Sequence, residues 1–409
     1  MRILYICDNL ITFILNEIIE LKEMGNDLYV LVDWRDIWVT SQVITPILTK
    51  NGLLDKTFAR RRIYKYRKQK LIQLIYKVTY DFIKHPVFTL RGLFYMLKSY
   101  PTLKKGTEEY LDLRQLFDSK IDLIHSAFST PEILDKIYFM SKSMNVPYTL
   151  SFRAHDIYKN NVRCEIQKRT EVIQEASHII TISSFNKNTL KTNLQIDKDI
   201  DIIHGCINTD LFKPAKESKS NRSIITVCRL DEQKGLIYLL EACYILNRRN
   251  IEYDCTIIGE GPEKTRYEKY IDELKIPNVN IVDFMIQDAI CNYLNRSTVF
   301  VLPCIVSSDG RRDILANVLK EAMAMELPVV TSNISGIEEL VEDGINGILV
   351  PPKNPEAIAE AIIKLFSNGD LRIKMGKEAR KKIQRDFNVK NEVRKLENIF
   401  NKIVNKQAH

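Results

Sequence analysis

Ser307-Ser-Asp-Gly-Arg-Arg-Asp-Ile-Leu-Ala-Asn-Val-Leu-Lys-Glu-Ala-Met-Ala-Met-Glu-Leu-Pro-Val-Val-Thr-Ser332 carries four events in one stretch. A strand ends near Pro303, a polar loop follows, a helix starts near Ala316, and a further strand begins at Val329. Strand, crossover helix, strand is the unit from which parallel sheets are built, because parallel neighbours need a long connection that covers the sheet.

Outward from it the same alternation runs in both directions. The runs Ile224–Val227, Cys255–Ile258, Val279–Val282, Val299–Leu302, Pro328–Thr331 and Ile348–Val350 alternate with helical patterns near Leu236–Leu246, Glu263–Leu274, Gln287–Leu294, Ala316–Met325 and Pro355–Leu365. Upstream, Ile3–Ile6, Leu28–Val32, Ile121–Ile124, Tyr148–Leu150, Ile179–Ile182 and Ile200–Ile203 alternate with helices such as Asn16–Met24, Pro131–Ser143 and Ser184–Thr192. Short β-branched runs between longer segments of helical period predict α/β structure with helices on both faces of each sheet. The expectation is two doubly wound units in tandem, residues 1–205 and 223–385. A linker, 206–222, contains the polar, turn-rich stretch Phe212–Arg222, and a last helix within 386–409 is a candidate to pack back onto the first unit. Ligands of doubly wound sheets lie beyond the carboxyl ends of the strands, so two facing units imply a cleft between them.

With 409 residues there is length for two or three domains, and 45% hydrophobic and 27% charged residues exclude disordered or collagen-like chains. The formal net charge is +8, yet residues 56–105 hold fourteen Lys or Arg against the single acid Asp81, a local net charge of +13. Aromatic and aliphatic residues are interleaved there, a mixture that suits an amphipathic surface on anionic lipid. No nucleic-acid motif accompanies the charge, so nucleic acid is not the expected partner. The eight cysteines are at least twelve residues apart, which excludes C-x-x-C metal or redox patterns and suits reduced thiols. Met1–Cys7 is too soon interrupted by Asp8 and Asn9 for a signal core, and no apolar run reaches membrane-spanning length. The expectation is a cytoplasmic protein, peripheral at the inner face of the plasma membrane.

Four groups of residues carry candidate chemistry. Asp313 falls in the loop before the helix, and Glu321 inside it on a mostly apolar face, where a buried carboxylate needs donors such as a ribose diol. The backbone N–H groups of Ile314, Leu315, Ala316, Asn317 and Val318 lie at the positive end of that helix, suited to phosphate or sugar oxygens. Arg229 and Lys234, in Val227-Cys-Arg-Leu-Asp-Glu-Gln-Lys-Gly235, leave a strand end and a helix start together and can grip phosphate oxygens. His155, in Tyr148-Thr-Leu-Ser-Phe-Arg-Ala-His-Asp-Ile-Tyr158, lies just past a strand's carboxyl end, and His125 occupies a similar place. The pairs Asp197/Asp199 and Asp199/Asp201 have D-x-D spacing but lead into an apolar strand and read as edge charges, so no metal site is expected.

On these residues the chain resembles glycosyltransferase family four, retaining nucleotide-sugar enzymes of the GT-B fold, in which two Rossmann-like domains face a central cleft. The resemblance is strongest from Asp313 to Thr331 and through Ser335–Pro351. In the first unit it rests on Thr12-Phe13-Ile14 with Glu17, on Ser151–Tyr158 and on Ile202–Phe212. It implies that Arg229 and Lys234 bind the donor diphosphate, that Glu321 binds the ribose, that Asp313 contacts the donor sugar, and that His155 lies near the transferred sugar. It further implies a glycan or polyprenyl-linked acceptor, no cofactor and no metal, in exopolysaccharide, capsule or lipid-linked glycan synthesis. The chain departs from the family's pattern in several places. Asp313 stands where Glu is usual, Ile314 and Ala316 where Gly or Pro is common, and Glu326 where Gly is usual. His204-Gly-Cys-Ile-Asn208 alters a common motif, and Asp8–Thr12 lacks a Gly-Gly turn. Two other classes fit the same residues: a GT-B hydrolase, phosphorylase or epimerase, and a catalytically degenerate nucleotide-sugar-binding subunit of a membrane-associated complex.

Overall fold

A computed structural model describes residues 1–8, 10–32, 38–59, 78–99, 109–110, 112–116, 118–215 and 222–407. The first unit is built on β1 (Arg2–Cys7), β2 (Asp27–Val32), β3 (Thr57–Ala59), β4 (Leu123–Ser126), β5 (Tyr148–Phe152), β6 (His178–Thr181) and β7 (Ile200–Ile202). They form one parallel sheet in the order β3-β2-β1-β4-β5-β6-β7. The second unit contains β8 (Ser223–Val227), β9 (Asp254–Ile258), β10 (Val279–Val282), β11 (Val299–Leu302), β12 (Val329–Ser332) and β13 (Gly347–Val350), ordered β10-β9-β8-β11-β12-β13 and again parallel. Ile3 pairs with Leu28 on one side and Leu123 on the other. Ile3 through Cys7 are all buried, which is why β1 reads as a continuous apolar run rather than an alternation.

Three strands differ from the sequence expectation by two residues or more, and β5 does so by running on to Phe152, two residues past Leu150. β4 lies two residues later than Ile121–Ile124, because Ile121 N closes a turn on Ser119 O and the ladder to β1 begins only where Asp122 N donates to Arg2 O at 2.9 Å. β3 was not anticipated: three residues at the start of the basic stretch carry too little pattern to show a period.

In each sheet the order reverses beside the unit's first strand, between β1 and β4 and between β8 and β11, and a crevice opens beyond the carboxyl ends at such a point. The helices that cover the sheets are amphipathic. Leu236–Arg248 buries Leu236, Leu239, Leu240, Cys243 and Leu246 on one stripe, each Leu contributing about 1.5–3 kcal/mol on burial.

The chain crosses between the units twice, side by side. Ile207 N donates to Phe387 O at 3.0 Å and Val389 N donates to Ile207 O at 3.1 Å. Phe212, read from sequence as the start of a polar linker, is buried, and its carbonyl accepts from Arg380 Nη1 at 2.9 Å. The last helix, Val389–Gln407, buries Val393, Leu396 and Phe400 in the core of the first unit, and Asn26 Nδ2 donates to its Glu397 at 2.6 Å. No helix among the described residues is long and apolar enough to cross a membrane.

Candidate active site at the two switch points

The turn Glu232–Lys234 follows β8 and ends at Gly235, whose φ is +63°. A Cβ on Gly235 would sit 2.1 Å from Pro303 O, so only glycine lets this turn press against the end of β11. Ile305 N donates to Gln233 O at 2.9 Å and stitches the two loops together. Lys234 is thereby aimed at the loop after β11, where its Nζ donates to Asp313 Oδ1 at 2.9 Å and Oδ2 at 2.8 Å. Burial works against the ammonium, but the Asp313 carboxylate outweighs it and holds the Lys234 pKa above its ordinary value. Cys304 Sγ lies 3.4 Å from Asp313 Oδ2, and burial pushes that thiol up, so it stays protonated.

The helix Asn317–Ala324 starts beside this pair. Its N-cap, Ala316, has no side chain that can accept, and the N–H groups of Ile314, Leu315, Asn317 and Val318 meet no acceptor among the described residues. Unpaired donors at the positive end of a helix favour an anion. Ile314, Leu315 and Ala316 bury their side chains, which turns that backbone edge rather than side-chain bulk toward the crevice. Glu321, further along the helix, is half-buried. Burial pushes its carboxyl up to about 7, with neighbouring Lys320 opposing the rise.

Arg229 sits apart from this group. Its side chain is 71% exposed and its Nε lies 3.1 Å from Asp231 Oδ2, so it lies on the rim while Lys234 lies within. His155 opens the four-residue helix His155–Tyr158 at the end of β5, and its side chain lies outside the described residues. His125 is wholly buried within β4. Its Nδ1 is 2.7 Å from Thr149 Oγ1, its ring packs against Tyr5 and Phe400, and burial lowers its pKa to about 3. It is a neutral core residue, not a ligand at the sheet edge. Asp201 of the D-x-D pairs is taken up by His178 Nε2 at 2.9 Å on the far strand of the first sheet.

A second constellation stands at the switch point of the first unit, where sequence reasoning quoted Glu17 and the stretch Ser151–Tyr158 but gave Glu17, Arg153 and Asp156 no role. Arg153 is buried there: its Nη2 donates to Glu17 Oε2 at 3.0 Å, its Nε to Ala127 O at 2.9 Å, and its guanidinium stacks on Phe13 and Phe128. Tyr5 Oη donates to the other Glu17 oxygen. Asp156 accepts from the backbone N of Arg153 and of Ser129, at 2.8 Å and 3.0 Å, and burial raises its pKa to about 6. Their pairing shows up only when the helix Thr12–Glu23 and the end of β5 are brought together across β4.

The two constellations meet across the cleft. Lys320, 1% exposed, donates to Gly205 O, and burial lowers its pKa to about 8. A Cβ on Gly205 would lie 3.3 Å from Lys320 Nζ and 3.8 Å from Arg153 Nη1. Glu339 of the second unit accepts from Ser184 N at 2.9 Å and Phe185 N at 3.0 Å, capping a helix of the first. Arg312 stacks on Tyr158, 4.8 Å from its ring centroid.

Solved structures with the same architecture cover nearly the whole chain. A glycosyltransferase from Rickettsia africae superposes with a TM-score of 0.72 at 20% identity over 98% of both chains. Anabaena HepE, solved in complex with UDP, gives 0.73 at 15% identity over 98% of this chain and all of that one. The fold is GT-B. Residues 208–382 match the family described as glycosyl transferases group 1. That stretch includes Arg229, Lys234, Asp313 and Glu321, so the constellation of the second unit lies within the matched residues. Among curated relatives, the amylovoran biosynthesis glycosyltransferase AmsK of Erwinia amylovora is 34% identical over 181 residues, 44% of each chain. The putative colanic acid biosynthesis glycosyltransferase WcaL of Escherichia coli is 33% identical over 178 residues, 43% of this chain and 44% of that one. The similarity therefore spans less than half the length of these two relatives.

Proposed function

We propose that the protein transfers a sugar from a nucleoside-diphosphate sugar to a glycan or polyprenyl-linked acceptor in cell-surface polysaccharide synthesis. The observation that carries this reading is the Lys234–Asp313 pair beside open helix amides at the switch point of the second unit. Lys234 and the amides from Ile314 to Val318 receive the diphosphate, and Arg229 closes on it from the rim. Glu321 accepts from the ribose hydroxyls. As the bond from the anomeric carbon to the β-phosphate breaks, an acceptor oxygen bonds to that carbon and its proton passes to the departing phosphate. Fixed donors aimed at the charge growing on the phosphate lower the barrier. These groups bring the positive charge themselves, so transfer proceeds without metal, and the anomeric configuration is retained. His155 stands where the acceptor meets the sugar.

Polysaccharide synthesis as the setting is supported by the names of AmsK and WcaL. A peripheral place at the inner face of the plasma membrane is supported by the helix Pro86–Ser99, which exposes Val87, Leu90, Phe94 and Leu97 along one face beside Arg91. The remainder of the basic stretch, residues 60–77 and 100–105, lies outside the described residues. Co-flotation with phosphatidylglycerol vesicles, weakened by salt, tests this part.

The reaction is tested by incubating the protein with UDP-, GDP- and ADP-sugars and lipid-linked oligosaccharide acceptors in the presence of EDTA, and reading the product anomer by NMR. Transfer with retention is expected. Free sugar or an epimer formed without acceptor would assign the hydrolase or epimerase class instead. Donor binding without any product would make the chain a binding subunit.

A further inference from the structure

Arg311, Arg312 and Asp313 are three consecutive charges in the loop after β11, and the fold treats them differently. Arg311 Nε donates to Asp309 Oδ2 at 2.7 Å, and Asp313 is held by Lys234. Both are neutralised within the second unit. Arg312, the middle charge, turns the other way. Its Nε donates only to Gly310 O, at 3.3 Å, and it has no carboxylate partner among the described residues. Its guanidinium crosses the cleft to the face of Tyr158, on the short helix that begins at His155. That ring is itself fixed: Tyr158 Oη donates to Asn186 Oδ1 at 2.8 Å, and Asn186 Nδ2 donates to Arg153 O.

A guanidinium stacked on a ring keeps its edge N–H groups free and pre-oriented, ready for a planar or tetrahedral anion in two-point contact. The donor diphosphate already has Lys234 and the open amides. Arg312 is therefore surplus to diphosphate binding, and it stands between the donor loop and the first unit. We propose that Arg312, mounted on Tyr158, recognises a second anionic group of the substrates, placed at the junction of donor sugar and acceptor. This rests on the nucleotide-sugar reading above and sharpens its substrate class. The anion has two possible carriers: a carboxylate on the transferred sugar, as in a uronic acid, or a phosphate of a lipid-linked acceptor.

The test compares the wild type with Arg312→Gln by calorimetric titration. UDP and GDP alone measure the diphosphate site, which Arg312 does not touch. In the donor arm, UDP-glucuronate is compared with UDP-glucose and GDP-mannuronate with GDP-mannose. In the acceptor arm, farnesyl diphosphate is compared with farnesol in the presence of the nucleotide that binds. The wild type is expected to prefer the anionic ligand by about tenfold in one arm, which identifies the carrier. Arg312→Gln is expected to lose that preference with nucleotide affinity unchanged. Tyr158→Leu, which keeps the charge and removes its mount, is expected to reduce the preference partway. A preference that survives Arg312→Gln, or none in either arm, overturns the proposal while leaving the nucleotide reading intact. Failure of UDP, GDP and ADP all to bind the wild type overturns both.

Discussion

Lys234 Nζ lies 2.9 Å and 2.8 Å from the two carboxylate oxygens of Asp313, so the partly buried cation of the crevice between β8 and β11 is neutralised by the acid beside it. An arriving diphosphate competes with that carboxylate for the ammonium. Lys234→Ala removes the cation and leaves Asp313 without its partner. The expected outcome is turnover lowered roughly a hundredfold and stability lowered by about 1–3 kcal/mol, measured by steady-state kinetics and denaturant melts. The double variant Lys234→Met/Asp313→Asn is expected to recover stability and not turnover. Turnover restored together with stability would make the pair a structural one.

Glu321 should give nucleotide affinity a pH dependence. Its folded pKa is raised from 4.5 to about 7 by burial, so the native state holds its proton at pH values where the unfolded chain has released it. Ionising Glu321 in the fold is unfavourable, and its contribution to stability declines as pH rises from about 4.5 toward 7. In the proposed role of Glu321, the ribose hydroxyls donate to the ionised carboxylate. Nucleotide affinity should therefore rise between pH 6 and pH 8, roughly the span over which the group empties its proton. Glu321→Gln is expected to flatten that rise; a rise equally steep in the variant assigns it to another group.

The clasp between the lobes loses stability in the same direction, as pH rises. His204 Nε2 lies 3.9 Å from Glu339 and Nδ1 3.6 Å from Glu392, while Lys395 donates to the other Glu392 oxygen and Phe387 packs on the ring. Burial opposes the imidazolium, but the two carboxylates outweigh it and hold the His204 pKa above 6.5. Its stabilisation is thus complete below about 6.5 and lost as pH climbs through the folded pKa. His204→Gln should remove that slope from melting curves, and Glu339→Ala, which strips the cap from Ser184 and Phe185, should cost about 1 kcal/mol.

Glu326 stands where glycine is usual in the family that the chain resembles, and its φ is +55°. A left-handed backbone strains a residue that has a Cβ. Glu326→Gly is expected to raise stability by up to about 1 kcal/mol, seen as a higher Tm, with turnover unchanged. A lower Tm would show that the Glu326 side chain contributes more than its backbone loses.

The donor side was legible because its chemistry sits in short local stretches. Val227–Gly235 and Asp313–Glu321 each follow a strand end, and the strand–helix alternation together with the family resemblance brings Lys234 and Asp313 to one crevice. It does not place Arg229, whose partner Asp231 is two residues away and draws it to the rim. The first unit's site was largely invisible. Glu17 and Arg153 are 136 residues apart and meet only because β1 and β5 flank β4, which brings the helix after β1 to the end of β5. Glu339 and Arg312 act across the cleft, and their partners Ser184 and Tyr158 belong to the other lobe, where no periodicity can reveal them.

Calorimetric titration of UDP, GDP and ADP into the wild type, Lys234→Ala and Arg312→Gln tests the central claim most directly. One nucleotide is expected to bind the wild type saturably, at least tenfold more weakly when Lys234 is removed, and equally well when Arg312 is changed. Equal affinity for the wild type and Lys234→Ala would contradict it, because the diphosphate would then lie somewhere other than the crevice between β8 and β11.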